Sequence, residues 1–416
     1  MSHIESIWAR KILDSRGNPT VEVDIWAEDG YGSAAAPSGA STGAHEVVAF
    51  PPQGIDFAIK QFREEFAPAL EGMNVFLQRR FDVELKRLDG TSNFRKMGGN
   101  VAVAASLALA RAAANSLGVP LYQYLGGAFA GYCIPYPLAN VLGGGRHARG
   151  GTDIQEFLVI SFGPTVADSV FANARVHRRV GEALAKKLPD SAIGRGDEGA
   201  WVARVGNVDA LELVAECCRE VSKEVGFQIQ PALDFAASEL YRNERYCYKE
   251  RKLTRERQMD FVESLVRDYN LYIVEDPLEQ EDFHGYVDLT ERIGRQCLVV
   301  GDDLFVTSTK RIKKGIDLGA CNAVLIKPNQ VGTLSDTYDA VCLAEQSGYK
   351  TVISHRSGET EDNSLAHLGV AFGCHAIKTG AVGGERCAKL NELIRIQEII
   401  MKEKESESSG GSDAAR

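Results

Sequence analysis

Nowhere in this chain of 416 residues do the ~18–20 consecutive apolar residues occur that would span a bilayer. The opening MSHIESIWAR has no signal-peptide core, so the expectation is a chain without a leader. Cysteine is scarce and badly spaced for a scaffold: nine residues, two of them adjacent at Cys217 and Cys218, and no C-x-x-C pair. This excludes a zinc knuckle, argues against a disulfide framework and predicts reduced, buried thiols in a cytoplasmic protein. Lys and Arg form no long basic run and the formal charge is −10, which argues against nucleic acid as the main partner. A GxxxxGK[ST] phosphate loop is missing as well, so an NTPase reading has no support. The rest is ordinary globular composition, 44% hydrophobic and 25% charged. The length exceeds a single hydrophobic core, which stops growing near ~250–300 residues, and predicts two domains or a barrel with an appendage.

The first 30 residues read as short β-rich pieces, Ile4 to Ala9 and Thr20 to Ala27, around the turn DSRGNP. Residues 33–46, SAAAPSGASTGAHE, are too small, polar and glycine-rich for a core strand and read as a long loop able to act as a lid. Residues 54–127 read as helices, the most regular being the alanine-rich stretch from Asn100. A linker at 128–136 separates a smaller α+β domain, 1–130, from a larger unit at 137–401. The charged, then Ser/Gly-rich segment 402–416 is expected to fray.

In the larger unit, strand-like runs at 157–161, 227–234, 271–277, 297–303, 322–328, 351–357 and 375–380 alternate with helical stretches at 208–225, 255–269, 310–319 and 334–348. The later strands recur every ~25 residues, the length of a βα unit, and favour a closed α/β barrel over a doubly wound open sheet. Each apolar run ends in groups unfit for a dry core: Asp234, Glu275, Asp302, Lys327, His355 with Arg356 and Ser357, and Lys378. In a barrel these ends converge on one mouth. Three acids there repel one another unless a cation joins them, and an all-oxygen set suits Mg²⁺, with Mn²⁺ as substitute. An ammonium beside such an ion and a second lysine has its charged form disfavoured, which suits Lys327 or Lys378 to act as a base. Arg356 with Ser357, and Ser41 from the loop, could clamp an anion. Glu156, Glu198 and His147 lie in or near glycine-rich loops that could close over a small substrate. Together they suit removal of a weakly acidic proton next to a carboxylate, with divalent ions and lysine stabilising the resulting ene-diolate and an acid assisting a leaving group.

The segments DSRGNPTVEV, PSGASTG, QEF, GDEG, LDFAASE, VEDPLEQED, VGDDLFVT, LIKPNQVGTLS, SHRSGETED and IKTG resemble the enolase family over roughly residues 4–400. The resemblance implies a small α+β domain followed by a (β/α)8 barrel of ββαα(βα)6 order. It implies Mg²⁺-dependent dehydration of 2-phosphoglycerate to phosphoenolpyruvate, in glycolysis and gluconeogenesis. It casts Asp234, Glu275 and Asp302 as ligands of one Mg²⁺ and Ser41 as ligand of a second. Lys327 becomes the base at C2 and Glu198 the acid at the C3 hydroxyl, with Glu156 and Gln155 beside it. Lys378 meets the substrate carboxylate, Arg356 and Ser357 the phosphate, and His355 and His147 approach from loops. A homodimer, or an octamer, is implied, with Arg10 and Glu22 near the seam facing Arg395 and Glu398 of the second copy. Departures from the family pattern sit at Gly143, Ala200, Gly383, Gly384 and His367. They leave open a divergent paralogue acting on another 2-hydroxy or 2-phospho acid, and a non-catalytic scaffold.

Overall fold

The computed structural model describes residues 2–39, 43–128, 131–148 and 150–410. A three-stranded antiparallel sheet opens the chain: β1 (Ile4–Leu13), β2 (Pro19–Ala27) and β3 (Gly30–Ala35) in sequential order. The last three residues of β3 belong to the stretch expected to be all loop. Short helices follow at Ile55–Gln61, Ala67–Leu70 and Gln78–Asp89, then the long helix α1 (Gly99–Ser116). Nearly every residue of α1 is buried, because it is wedged between this sheet and the next domain and has no solvent face to supply. Alanine makes that close approach possible. Gly32 of β3 passes over the backbone of Ala108 where no side chain would fit, which is why a residue of poor strand propensity stands there.

Eight strands then close into a barrel: β4 (Tyr136–Gly143), β5 (Glu156–Ser161), β6 (Ile229–Asp234), β7 (Ile273–Glu275), β8 (Leu298–Gly301), β9 (Ala323–Ile326), β10 (Lys350–Ser354) and β11 (Ala376–Lys378). β5 runs antiparallel to both neighbours, every other pairing is parallel, and β11 pairs with β4 to complete the ring. Two helices, α2 (Val166–Lys187) and α3 (Asn207–Val225), lie between β5 and β6, and one helix follows each later strand, preceded after β9 by the single turn Pro328–Val331. The order is therefore ββαα(βα)6, as the resemblance implies. Leu138, Leu158, Ile160, Ala232, Ile273, Val300, Leu325 and Val352 fill the barrel interior. β4 is absent from the strands read off the sequence, since Pro137, Asn140 and Gly143 interrupt its apolar run. The final helix, α4, runs Gly384–Gly410, so the first nine residues of the tail expected to fray are helical.

Buried polar contacts seat the small domain on the barrel. Asp82 accepts from Ser106 Oγ at 2.6 Å and from the amide and hydroxyl of Ser335 at 2.9 and 2.6 Å. Ser38 exchanges backbone hydrogen bonds of 2.7 and 2.9 Å with Gly358, which draws the loop after β3 against the SHRSG turn.

Candidate active site

The strand ends converge as their polar termini require. Asp234 closes β6, Glu275 closes β7 and Lys378 closes β11, while Asp302, Lys327 and His355 stand one residue past β8, β9 and β10. With Gly39, His147, Gln155, Glu156, Glu198, Arg356 and Ser357, most of these side chains line a narrow cleft at the barrel mouth. Glu275 lies just beneath that lining. Ser41 is outside the described residues, although the segments on either side of it reach the site: Ser38 through Gly358, and Glu46 through Arg356.

The acid side of the cleft is organised by two lysines. Lys378 Nζ lies 2.7 Å from Glu275, 3.0 Å from Glu156 and 3.1 Å from Asp234. Lys327 Nζ pairs with Asp302, whose other oxygen accepts from Gln330 Nε2 at 2.9 Å. Burial and mutual repulsion, only partly relieved by Lys378, push Asp234 above the ordinary carboxylate range and Glu275 well above it. Burial alone would lower Lys327, but Asp302 outweighs it and holds the ammonium.

Asp276 plays a different part. Just after Glu275 its backbone turns left-handed, φ 40°, so its carboxylate folds back onto the β8 loop. It accepts from the amides of Asp302 at 3.0 Å and Asp303 at 2.8 Å and from Tyr286 Oη at 3.1 Å. Asp276, Asp302 and Asp303 form one of two donor sets among the described residues whose ligand atoms lie within 4.8 Å of one another; His147, Glu156 and Glu198 form the other. Asp234, Glu275 and Asp302 are not gathered as one such set, a difference from the trio read off the sequence, because Lys378 and Lys327 stand among them. Asp276 has both oxygens engaged by the loop it clamps, so it serves as a brace.

Across the cleft, His147 Nδ1 lies 3.2 Å from Glu156 and 3.7 Å from Glu198. Burial opposes the imidazolium, yet Glu198 and Glu156 raise His147 to about 9. Glu198 is also buried, but His355 and His147 hold it well below the usual carboxylate range. Asn140 of β4 donates to its other oxygen at 3.1 Å. Arg356 bonds Glu46 at 2.9 and 3.1 Å and Asn329 Oδ1 at 2.9 Å, so the anion clamp expected here is closed by a carboxylate. Gln155 Nε2 approaches Asp234 at 3.5 Å.

A divalent cation fits this chemistry. The cleft lining offers carboxylate oxygens and no thiolate. Glu275 Oε1, Gln155 Oε1 and Asn140 Oδ1 are buried without a hydrogen-bond partner among the described residues. Unpaired buried acceptors beside raised carboxyls are stabilised by a hard cation. Glu46, Asn140, Gln330 and Arg386 were missed as site residues in the sequence. Only Gln330 carried a local signal, three residues past Lys327 in KPNQ.

Arg10 was expected near a seam with a second copy. Within one chain it pairs with Glu22 and Asp24, and Arg395 pairs with Glu392 at 2.8 Å.

Comparison with known proteins covers both halves. A family model described as the N-terminal domain of enolase matches residues 4–125, and one described as its C-terminal TIM barrel domain matches 131–412. The chain is 51% identical over 405 residues to the enolase of Methanothermobacter thermautotrophicus, covering 96% of this chain and 97% of that one. It is 52% identical over 401 residues to the enolase of Natronomonas pharaonis, covering 95% and 99%. To the enolase of Picrophilus torridus it is 49% identical over 392 residues, covering 94% and 98%.

Proposed function

The chain belongs to the enolase family, and from that premise we propose which of its residues carry the family's reaction, the reversible Mg²⁺-dependent dehydration of 2-phospho-D-glycerate to phosphoenolpyruvate in glycolysis and gluconeogenesis. Lys327 takes the proton from C2 as the neutral amine, and the ammonium paired with Asp302 is the form that the transfer leaves. The C3–oxygen bond breaks on the opposite side, the hydroxyl leaves as water with a proton from the Glu198–His147 pair, and the C2–C3 double bond forms. In reverse, water adds at C3 and the Lys327 ammonium returns a proton to C2. Its ion pair with Asp302 favours the form needed for that return.

Asp234, Glu275 and Asp302 would hold one Mg²⁺ and Ser41 would contribute to a second, and when bound these would supply positive charge for the substrate carboxylate and phosphate. The chain's own residues place the substrate. Lys378 meets its carboxylate, Arg356 and Ser357 its phosphate, and Gln155, Glu156, His355 and His147 close the sides and exclude water. His147, the member of the pair that holds the proton, lies 3.7 Å from Glu198, and the proton that departs with the hydroxyl is drawn from this pair.

The observation that carries this reading is the opposition of two buried units across one cleft: Lys327 on Asp302, and Glu198 between His147 and His355. Glu198→Gln keeps the shape and removes the carboxylate that pairs with His147 and relays the proton to the leaving hydroxyl. Its turnover of 2-phosphoglycerate should fall roughly 10²–10⁴-fold, the range for a positioned acid or base. Full activity in that variant would remove Glu198 from the mechanism.

Among the described residues no helix is long and apolar enough to cross a membrane. We place the protein in the cytoplasm as a homodimer or octamer. The nine free thiols, five of them buried, support the first part, and the family's habit supports the second.

A further inference from the structure

Arg386, in the first turn of α4, has no exposed surface, and the hydrogens on its two terminal nitrogens can all be accounted for. Nη2 donates to the carbonyl oxygens of Ser357 at 2.7 Å and Asp197 at 3.3 Å. Nη1 donates to the carbonyl oxygen of Arg356 at 2.8 Å, and its second hydrogen faces Nδ1 of His355 at 2.8 Å. Gly383, at φ 116°, makes the turn that delivers the guanidinium there. One side chain therefore touches both the loop of Glu198 and the turn of His355, Arg356 and Ser357.

A guanidinium has five N–H donors and no acceptor. A hydrogen on Nδ1 of His355 would meet an N–H head-on at 2.8 Å, so Nδ1 has to accept. The proton of the neutral ring then sits on Nε2. That nitrogen is buried, has no hydrogen-bond partner among the described residues and lies 3.5 Å from Glu198 Oε1, too far for a good bond. The charged groups around the ring are Glu198, Arg386 and Glu359; burial and Arg386 outweigh the two acids and keep the ring below its usual value.

We propose that Arg386 is a positioning residue that locks His355 in the neutral Nε2–H tautomer, so that the ring offers Glu198 and a substrate oxygen a donor and never a base. The lock itself follows from hydrogen-bond valence. Its catalytic consequence rests on the reading above, in which Glu198 handles the leaving-group proton. With Nε2–H fixed toward it, Glu198 cannot pass its proton to His355, and the proton remains available on the His147 side.

The test uses the full chain labelled with ¹⁵N at histidine, with Mg²⁺ and without substrate. His355 is assigned by the resonance lost in His355→Gln. Its Nδ1 should be pyridine-like, its Nε2 pyrrole-like, and neither should titrate across neutral pH. Arg386→Met should release the lock: both tautomers or a titrating ring appear, and kcat drops about 10–100-fold, the scale seen when outer hydrogen-bond partners are removed, with KM little changed. Arg386→Lys keeps a donor-only cation and should keep the tautomer and recover part of the turnover, which separates this effect from misfolding. A proton on Nδ1 in the unsubstituted protein overturns the proposal, as does the same tautomer in all three proteins. A tautomer that follows Arg386 while Glu198→Gln turns over normally would sustain the lock and refute the role of Glu198.

Discussion

Replacing Lys378 by Met removes one buried positive charge and leaves a side chain of similar length. The ammonium sits within 3.1 Å of Glu156, Asp234 and Glu275, all of them buried. Removing one partner of a buried ion pair costs about 3–5 kcal/mol, because the other charge stays behind without compensation. Three carboxylates left together would exceed that range if all remained ionised. They need not, since burial and crowding already raise Asp234 and Glu275, and in the variant these acids can take up protons instead. An acid whose folded pKa lies above its unfolded value binds protons in the fold that the unfolded chain has released. Stability therefore falls as pH rises through that folded value. Lys378→Met should lose about 3–5 kcal/mol in EDTA at alkaline pH, and less in mild acid. Mg²⁺ at 100 times its dissociation constant should return about 2.7 kcal/mol. Denaturation midpoints of both proteins, with EDTA or Mg²⁺ at two pH values, measure this. A variant that unfolds together with the parent chain in EDTA at alkaline pH would show that the acids do not need this cation.

Gly181 lies inside α2, where alanine normally stabilises a helix by about 1 kcal/mol. A Cβ there would fall within 2.5 Å of the Trp201 indole, which donates to His177 O at 2.7 Å and stacks on the His177 ring. Gly181→Ala should therefore destabilise by about 1–3 kcal/mol in thermal unfolding, and stabilisation would contradict the packing. His177 Nε2 lies 2.9 Å from Gly199 O, next to Glu198, and burial lowers the ring below the ordinary histidine range. A lowered histidine contributes stability above its unfolded pKa that is lost as pH falls through the folded one. Unfolding free energy should thus decline below about pH 6.5, and His177→Gln should flatten that slope; an unchanged slope would refute the assignment.

Why the barrel mouth was legible is plain from particular residues. Asp234, Glu275 and Lys378 end apolar runs too short for helices, and period and length alone place such runs in a barrel. Opposite charges on successive strands then imply a shared centre. β4 escaped because its defining features are exceptions to strand chemistry: Pro137 opens it, and Asn140 is buried within it only because Glu198, 58 residues away, accepts its hydrogen. β3 escaped because Gly32 answers to Ala108 on another element. Glu46 on Arg356, Asp276 on the Asp303 amide and Arg386 on His355 bind partners that the local sequence does not announce. The chemistry was written at strand ends, whereas its supports depend on tertiary proximity.

The most direct test follows phosphoenolpyruvate by its ultraviolet absorbance as 2-phosphoglycerate is supplied to the parent chain and to Lys327→Ala. The parent should form product with Mg²⁺, stop when EDTA removes it and resume on replenishment. The variant should be slower by roughly 10²–10⁴-fold at every Mg²⁺ concentration. Comparable rates in the two proteins, or turnover by the parent that persists in EDTA, would contradict a lysine base working beside a cation held by buried acids.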